Sequence, residues 1–425
     1  MADGMLYVPL LKKVMRRFVV LMLLGAALAS CGLTEIGGEK TPSDSGEIWG
    51  GLQEDSSAGG DDIVSVCYLT GLDYRKEYDW RSDNASGSVR CSLVVYANGV
   101  PVMKIPVGDE YAMSSDSDMH RIIDGHLYSD YSMSSETVIK KDGKELFSYP
   151  GRECICGMQV VDGEIYTLGQ NRDRAGFAYR KNGETVIARE QGRVIGTLCA
   201  EADSLMFSFS ETISSAQGNV ERYYGVKSGK VQQIALREDI VKVWDILPYE
   251  GGFVYVATLK GIAEPVLVSD SQLIALPLPK GAKTLSCSLF RCGNRIGIEG
   301  LYTLSDGSRH NLIWLDGRVM ATFGSGMSVS VLYAGQDGVC CALNPVSPGG
   351  SGVIYRCGEE FPMPAGYACM GAESMSMVDG ILTVGLSSLK GERPLIWRDC
   401  VLDTLDINGF LTGVYSQPGL DLPPR

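Results

Sequence analysis

The 425-residue sequence predicts an all-β fold built from repeated hairpins, and three observations support that prediction. Tight-turn dipeptides such as Asn-Gly and Asp-Gly recur along the chain, flanked by runs rich in β-branched and aromatic residues. One series of these turns recurs about every 43 residues, with a second series interleaved. No amphipathic run with a helical period of 3.6 residues follows residue 31, which excludes a helical solenoid.

The turn spacing predicts the architecture. The turns of the first series begin at Asn98, Asp142, Asn182, Ser228, Asp270, Asp316, Cys357 and Asp399. Two hairpins per repeat give four strands, which is the sequence signature of a β-propeller blade. We therefore expect a single β-propeller of about eight four-stranded blades over residues 63–416. Seven blades is the alternative if the unit at Pro265–Leu276, whose turn lacks glycine, is degenerate.

The phase of the blades follows from turn length. A two-residue turn joins neighbouring antiparallel strands and cannot reach from the outer edge of one blade to the inside of the next. The link between blades therefore lies in a longer connection, for example 188–196. On this phase the first blade lacks an inner strand, because residues 59–62 (GGDD) cannot supply one. The strand-like run 410–415 is left over and is expected to fill that gap and close the ring, leaving 417–425 as a tail.

The amino terminus has the pattern of an export signal. Four basic residues lie within 12–17, and the apolar run 18–29 suits a secretory signal but is too short to span a bilayer. The following Leu28-Ala29-Ser30-Cys31 resembles the lipobox of bacterial lipoproteins, which implies that Cys31 becomes the acylated first residue after a signal peptide of residues 1–30. An ordinary secretory signal ending near a cysteine is the alternative. Gly32 after the cysteine implies, by the same resemblance, an outer-membrane destination.

Composition predicts a tether and excludes some partners. Residues 31–62 are rich in Gly, Ser and acids, so they bury too little apolar surface to offset the entropy of ordering and are expected to form a flexible tether. The whole chain carries a net charge of −13, and the bases of residues 12–17 leave with the signal. Nucleic acid is therefore not expected as a partner, and contact with the membrane is expected only through the lipid anchor.

The repeats also resemble a known family. Tyr166-x-x-Gly169 is followed by Tyr179-x-x-Asn182-Gly183, and Trp314 precedes a further Asp-Gly turn. This "YxxG…W/YxNG" pattern, together with the lipobox, is similar to that of β-propeller lipoproteins of Gram-negative bacteria. The resemblance covers residues 63–416 and implies an architecture and a place in the cell envelope. Because the motif is structural, the resemblance does not identify a ligand.

The longer connections are expected on one face of the propeller, since strand direction alternates. They are 71–90, 108–120, 169–176, 210–222 and 343–352, and insertions confined to one face are typical of a binding face. Segment 72–81 is the richest in aromatic and charged residues and contains the candidate ligand-binding residues Tyr74, Arg75, Tyr78 and Trp80. The alternative is that its aromatic side chains cover the end of the first blade.

Evidence for chemistry in the sequence is sparse. Asp116, Asp118 and His120 at alternate positions are weak candidates for a metal site, because the Gly and terminal Glu of a calcium loop are absent. No nucleophile motif or phosphate-binding loop is present, and no cofactor is predicted. The sequence therefore predicts a non-catalytic binding or scaffold protein for a glycan or a protein partner. The alternative is a polysaccharide-acting enzyme with a carboxylate pair in the central funnel.

Twelve cysteines follow Cys31, and export would permit disulfides among them. Several lie in strand contexts, where cysteine is commonly a small buried apolar residue. We expect few bridges, with Cys67–Cys91 and Cys287–Cys292 as the candidate pairs.

Overall fold

The structure is a computed structural model in which the regular elements are antiparallel β-strands. It describes residues 65–74, 91–97, 100–107, 120–132, 135–201, 204–215, 218–269, 272–292, 295–335, 338–346, 350–369, 374–378, 380–390, 392–407 and 409–418. These ranges contain thirty-four strands in eight sheets. Within these ranges, no helix is long and apolar enough to span a membrane.

The first four sheets are formed as follows. Sheet 1 contains β1 (Ser65–Tyr74), β2 (Cys91–Ala97), β3 (Val100–Val107) and β34 (Gly409–Pro418). Sheet 2 contains β4 (His120–Ile123), β5 (His126–Ser132), β6 (Glu136–Lys141) and β7 (Lys144–Pro150). Sheet 3 contains β8 (Glu153–Val161), β9 (Glu164–Asn171), β10 (Phe177–Lys181) and β11 (Glu184–Arg189). Sheet 4 contains β12 (Gly192–Val194), β13 (Cys199–Glu201), β14 (Ser204–Ser215), β15 (Gly218–Lys227) and β16 (Lys230–Gln233).

The other four sheets follow in chain order. Sheet 5 contains β17 (Ile240–Tyr249), β18 (Gly252–Leu259), β19 (Pro265–Val268) and β20 (Leu273–Ala275). Sheet 6 contains β21 (Lys283–Cys292), β22 (Arg295–Thr303), β23 (Arg309–Leu315) and β24 (Arg318–Phe323). Sheet 7 contains β25 (Met327–Gly335), β26 (Gly338–Pro345), β27 (Val353–Arg356) and β28 (Glu359–Pro362). Sheet 8 contains β29 (Tyr367–Ala368), β30 (Met375–Val378), β31 (Ile381–Ser388), β32 (Leu395–Arg398) and β33 (Val401–Thr404).

Consecutive strands pair in sheets 2, 3, 5, 6 and 7, and the predicted phase is the observed one. In sheets 4 and 8 the first strand is interrupted, so that β12 and β13 both pair with β14, and β29 and β30 both pair with β31. Sheet 3 runs β8 to β11 in order, so its two tight turns are both internal hairpins. The segment Pro265–Leu276 also forms two strands, β19 and β20, despite the absence of glycine from its turn. Sheet 1 departs from chain order because β34 pairs with β1, with Tyr415 opposite Tyr68. Residues 410–415 therefore lie beside the first strand, as expected.

One predicted connection is instead regular structure. Segment 210–222 continues the hairpin of β14 and β15, whose register runs without interruption to Ser215 opposite Gly218. The β-branched residues Thr212, Ile213 and Val220 favour extended backbone there, which explains why a long loop was the wrong prediction.

Apolar side chains fill the space between consecutive sheets. Between sheets 5 and 6, for example, Leu247 and Val256 pack against Ile298 and Trp314. Tyrosine and phenylalanine fill the layer between sheets 3 and 4, where Phe177 contacts Phe209 at 4.8 Å between ring centroids. Sheets of about four strands that pack face to face, one after another in chain order, form a β-propeller.

The repeated Asn or Asp has a second role besides tolerating the left-handed backbone conformation. Asp142, Asn182, Asp316 and Asp399 all have φ between 39° and 50°. Each side-chain oxygen also accepts the backbone N–H at the start of the second strand, from Leu127 (2.9 Å), Ile165 (2.8 Å), Ile296 (3.3 Å) and Leu382 (3.3 Å) respectively. The side chain thereby ties the outer turn, which joins the third and fourth strands, to the second strand.

The glycine after that residue lies against the preceding sheet. A Cβ at Gly183 would lie 2.9 Å from the Phe147 ring of sheet 2, and one at Gly317 would lie 2.5 Å from Ile274 of sheet 5. Only glycine fits both the positive φ and this contact. The repeated dipeptide is therefore explained by folding and packing alone.

Both expected disulfides are wrong. Cys287 and Cys292 lie five positions apart on the same strand, β21, so their Cα atoms are about 16 Å from each other. A disulfide requires a Cα–Cα distance below about 7 Å. Cys287 is a buried free thiol. Cys91 pairs with Tyr74, so the backbone register places it seven residues, or about 23 Å, along β1 from Cys67.

Candidate functional site

Most of the residues singled out in the sequence lie outside the described part of the chain. Arg75, Tyr78 and Trp80 are not described, and Tyr74 is described only as the backbone end of β1. Cys31, together with the signal and tether around it, also lies outside the described residues. A recognition role for segment 72–81 therefore stays a prediction.

His120 is described, and it is a core residue. It opens β4, is 5% exposed, and its ring lies 6.1 Å from that of Tyr131. The Tyr415 hydroxyl donates a hydrogen bond to its carbonyl oxygen. Burial lowers the pKa of His120 to about 4, so the imidazole is neutral at pH 7. Asp116 and Asp118 lie outside the described residues, and the described side chains include no group of three or more potential metal ligands.

Two described carboxylates lie on the first strands of their sheets, and each is held by its surroundings. Glu153 on β8 receives a hydrogen bond from the buried Arg180 guanidinium at 2.5 Å. Asp245 on β17 accepts the backbone N–H groups of Ile246 and Leu289, both at 2.9 Å, and so joins sheet 5 to sheet 6. The two carboxylates are in sheets 3 and 5, with sheet 4 between them, and each is hydrogen-bonded within the fold.

A cleft opens between sheets 5 and 6 on the face of the longer connections. Because neighbouring strands are antiparallel, the links from second to third strand and from sheet to sheet emerge at the same end. The cleft has a volume of about 410 Å³ and is lined by Val241, Lys242, Trp244, Thr258, Ile262, Ala263, Ala282, Lys283 and Thr284. We call it the Trp244 cleft.

Three β-bulges shape the cleft. The register of β17 shifts between Ile240 and Lys242 and again between Val243 and Asp245, and that of β21 shifts between Thr284 and Ser286. A bulge bends its strand and leaves one residue unpaired. The residues of β17 left unpaired are Val241, which is 67% exposed, and Trp244. The first strands of both sheets therefore diverge from regular pairing at the same end, where the cleft opens.

Trp244 lines the cleft, and two contacts fix the orientation of its indole. Its indole N–H donates a hydrogen bond to the Thr258 hydroxyl at 2.9 Å. The Lys242 ammonium lies 3.2 Å from the centre of the indole ring, in a cation–π contact. Lys283, on the opposite wall, is exposed. Within the described part of the chain, the hydroxyl oxygen of Thr284 is buried and makes no hydrogen bond.

The lining combines positive charge, apolar surface and hydroxyl groups. It contains two lysines, two threonines and four aliphatic side chains around the indole, and no carboxylate, histidine or cysteine. Such a surface suits a ligand with an anionic group next to an apolar face. Nothing in the lining resembles the carboxylate pair that glycoside hydrolysis uses.

The sequence contained a signal for this cleft that pattern reading missed. Val241-Lys242-Val243-Trp244 reads as ordinary strand alternation, so Trp244 was not separated from core aromatics. The informative feature is the second lysine, Lys283, 41 residues later at the start of the next repeat. Only the packing of sheet 5 against sheet 6 shows that the two lysines share one cleft.

Comparisons with known proteins give distant likenesses only. No protein-family model matches the chain, and no curated protein matches it. Among solved structures, dihydro-heme d1 dehydrogenase NirN in complex with DHE aligns with a TM-score of 0.46 at 10% identity, over 86% of this chain and 77% of its own. The β-propeller domain of the Trilobed protease from Pyrococcus furiosus aligns with a TM-score of 0.41 at 10% identity, over 64% and 87%. BamB from Moraxella catarrhalis aligns with a TM-score of 0.38 at 10% identity, over 66% and 96%.

Proposed function

We propose that the protein is an exported, lipid-anchored, non-catalytic β-propeller that binds an acidic glycan in the Trp244 cleft. The observation that carries the proposal is a pair of lysines in one cleft of about 410 Å³, with Lys242 over the oriented indole of Trp244 and Lys283 in the wall that sheet 6 forms. That volume lies within the range of roughly 300–1,000 Å³ that is usual for small-ligand sites.

The chemistry of the lining favours an acidic sugar. The apolar C–H face of a pyranose packs on aliphatic and aromatic surface, while its carboxylate or sulfate accepts charge-assisted hydrogen bonds from ammonium groups. The net charge of −13 does not oppose such a ligand, because salt screens charges beyond about 8 Å and the lysines are the nearest charges in the lining.

A binding role is favoured over hydrolysis by the carboxylates. Glu153 is engaged by Arg180, and Asp245 is engaged by two backbone N–H groups in another sheet. A hydrolase needs two carboxyl groups roughly 5–10 Å apart with room for the sugar between them. The engagement of Glu153 and Asp245 within the fold, together with a cleft lining that contains no carboxylate, favours a protein that holds its ligand without changing it.

We further propose that the sheets are the eight blades of one closed ring. The pairing of β34 with β1 supports this, as does a buried cluster that contains Leu69 and Val94 of sheet 1 together with Ile396 of sheet 8. Closure of this kind removes a free sheet edge, which is otherwise a site of aggregation.

The proposed location rests on the amino-terminal sequence. Cleavage after residue 30 would leave Cys31 as the acylated first residue, with 31–62 as a tether to the outer membrane and 63–416 as the propeller. Mass spectrometry of the mature amino terminus tests the anchor. A mature chain that begins at any residue other than a lipid-modified Cys31 refutes it.

Glycan-array binding by the purified protein tests the ligand. We expect retention of uronic-acid, sulfated or sialylated glycans and no retention of neutral ones. Lys242→Gln and Lys283→Gln should each weaken binding roughly fivefold to tenfold, since one charge-assisted hydrogen bond contributes on the order of 1 kcal/mol. Lys230→Gln, an exposed lysine of sheet 4, is the matched control and should bind as the wild type does.

A second set of variants distinguishes the cleft from the loop predicted by sequence. Tyr74→Ala, Tyr78→Ala and Trp80→Ala should leave affinity unchanged if the Trp244 cleft is the site. If those three variants lose the ligand while the lysine variants keep it, recognition belongs to segment 72–81. Retention of neutral glycans alone would refute the assignment of an acidic ligand.

A further inference from the structure

The outer turn of sheet 7 departs from the repeat. At the position where four other sheets have Asp142, Asn182, Asp316 or Asp399, sheet 7 has Cys357. Its backbone has the same left-handed conformation, with φ of 49°. The thiol does not replace the carboxylate or amide oxygen that ties the turn to the second strand in those sheets, so this turn is held differently.

A second cysteine lies beside it. Cys357 donates its backbone N–H to the carbonyl of Val339 at 3.0 Å, and the residue after Val339 is Cys340. The Sγ atoms of Cys340 and Cys357 are 4.0 Å apart. Cys340 is 1% exposed, whereas Cys357 is exposed at the turn. The Cys357 sulfur lies over Gly338, where a Cβ would approach it to 3.3 Å.

We propose that Cys340 and Cys357 are a redox pair that closes to a disulfide in the presence of a small-molecule disulfide, fastening the outer turn of sheet 7 to β26. The bridge would take the place of the Asp or Asn side chain that ties this turn in other sheets. The two residues are already neighbours through backbone pairing, since Cys340 pairs with Arg356. Closure therefore needs side-chain rotation at the exposed Cys357 rather than movement of strands.

The reaction proceeds by thiol–disulfide exchange in two steps. The Cys357 thiolate attacks one sulfur of the oxidant, forming a mixed disulfide and releasing one thiolate. Cys340 then loses its proton to solvent and attacks Cys357 Sγ, and the second thiolate of the oxidant leaves. The protein loses two protons and two electrons, and the oxidant is reduced from a disulfide to two thiols.

Burial should make the second step the slower one. Burial, with Cys357 adjacent, raises the pKa of the Cys340 thiol to about 12. The thiolate is the nucleophile, and its fraction rises tenfold per pH unit below that pKa. Conversion of mixed disulfide to intramolecular bridge should therefore accelerate about tenfold between pH 7 and pH 8.

Peptide mapping of the full chain after treatment with oxidised glutathione tests the proposal. Trypsin cuts after Arg356, so the two cysteines fall in separate peptides, 319–356 and 357–390. We expect these peptides to be linked under non-reducing conditions and separate after reduction. The linked form should migrate as a monomer and have two fewer titratable thiols than the reduced protein.

Single variants identify the sulfurs and guard against misfolding. Cys357→Asp restores the residue type of the other turns, so it should fold and lose the linkage. The matched controls are Cys341→Ala, at a buried neighbour, and Cys400→Ser, at an exposed turn cysteine. Both control variants should keep the linkage between the two peptides. Absence of the linked peptides in wild type, or their persistence in Cys357→Asp, overturns the proposal, as does an arrest at the mixed disulfide at pH 8.

Discussion

Acidification should destabilise the protein through His120, and the effect can be worked out from its burial. The pKa of this imidazole is about 4 in the folded protein and 6.5 when exposed. The unfolded state binds the proton more tightly than the folded state does. The contribution of the neutral His120 to the free energy of unfolding is therefore fully present above pH 6.5 and is lost as the pH falls toward 4. With 1.36 kcal/mol per pKa unit, the free energy of unfolding should drop by about 2 kcal/mol between pH 7.5 and pH 5 from this group alone.

The assay is urea unfolding at pH 7.5 and pH 5.0 for wild type and His120→Phe. Other groups also titrate in this range. The informative quantity is therefore the difference between the two proteins in how much free energy of unfolding each loses on acidification. The variant should lose about 2 kcal/mol less than wild type on acidification, since phenylalanine fills the site beside Tyr131 without binding a proton. His310→Gln is the control, and it should lose stability with pH as the wild type does.

Two results would refute the reasoning. An equal pH dependence in wild type and His120→Phe would mean that the imidazole is not held neutral by burial. A fall in stability at pH 7.5 on adding EDTA that occurs in wild type and not in His120→Phe would mean that His120 binds a metal ion, as the weak sequence pattern with Asp116 and Asp118 allowed.

Three further predictions concern the repeat. Gly183→Ala and Gly163→Ala both place alanine at positive φ, but only Gly183 faces a neighbouring sheet. The free energy of unfolding of Gly183→Ala should therefore be lower than that of Gly163→Ala by roughly 1–3 kcal/mol, the cost of overpacking. Equal losses of the two variants in urea unfolding would refute the contact. Asn182→Ala removes the acceptor for the backbone N–H of Ile165 and should cost about 2 kcal/mol in the free energy of unfolding. Asn182→Asp keeps that acceptor but sets a carboxylate beside Glu164 in place of the donating amide, so it should recover only part of the loss; equal losses in the two variants would show that the acceptor is unimportant. Removing 409–425 should expose the edge of β1 and cause aggregation measurable by light scattering, while removing only 419–425 should not; a soluble, cooperatively unfolding 1–408 chain would contradict this.

Turn chemistry explains why much of the fold was predictable. The residues Asp142, Asn182 and Asp316 mark hairpins because their backbone conformation, their side-chain acceptor and the glycine after each are all local requirements. Strand order within a sheet then follows from short turns. The pairing of β34 with β1 was predictable for a different reason, since a missing strand and a surplus strand have to be matched.

Features that depend on exact register were not predictable. The break between β12 and β13 falls at Gly196, where a Cβ would lie 2.9 Å from the carbonyl oxygen of Ile246 on the next sheet. The Trp244 cleft depends on three bulges, which no local pattern indicated. The expected bridge between Cys287 and Cys292 failed because both residues precede the same turn and therefore share one strand.

The pairing of β1 with β34 has a consequence for how the protein is made. Ser65 pairs with Pro418, which lies 353 positions later in the chain. Contacts at such separation are formed late and raise the contact order, which slows folding. In the proposed export, sheet 1 would stay one strand short until residue 418 has been translocated. A chain stalled or cleaved before β34 would therefore present the open edge of β1 to chaperones and proteases, so the cell can recognise an incomplete product by a single unpaired strand.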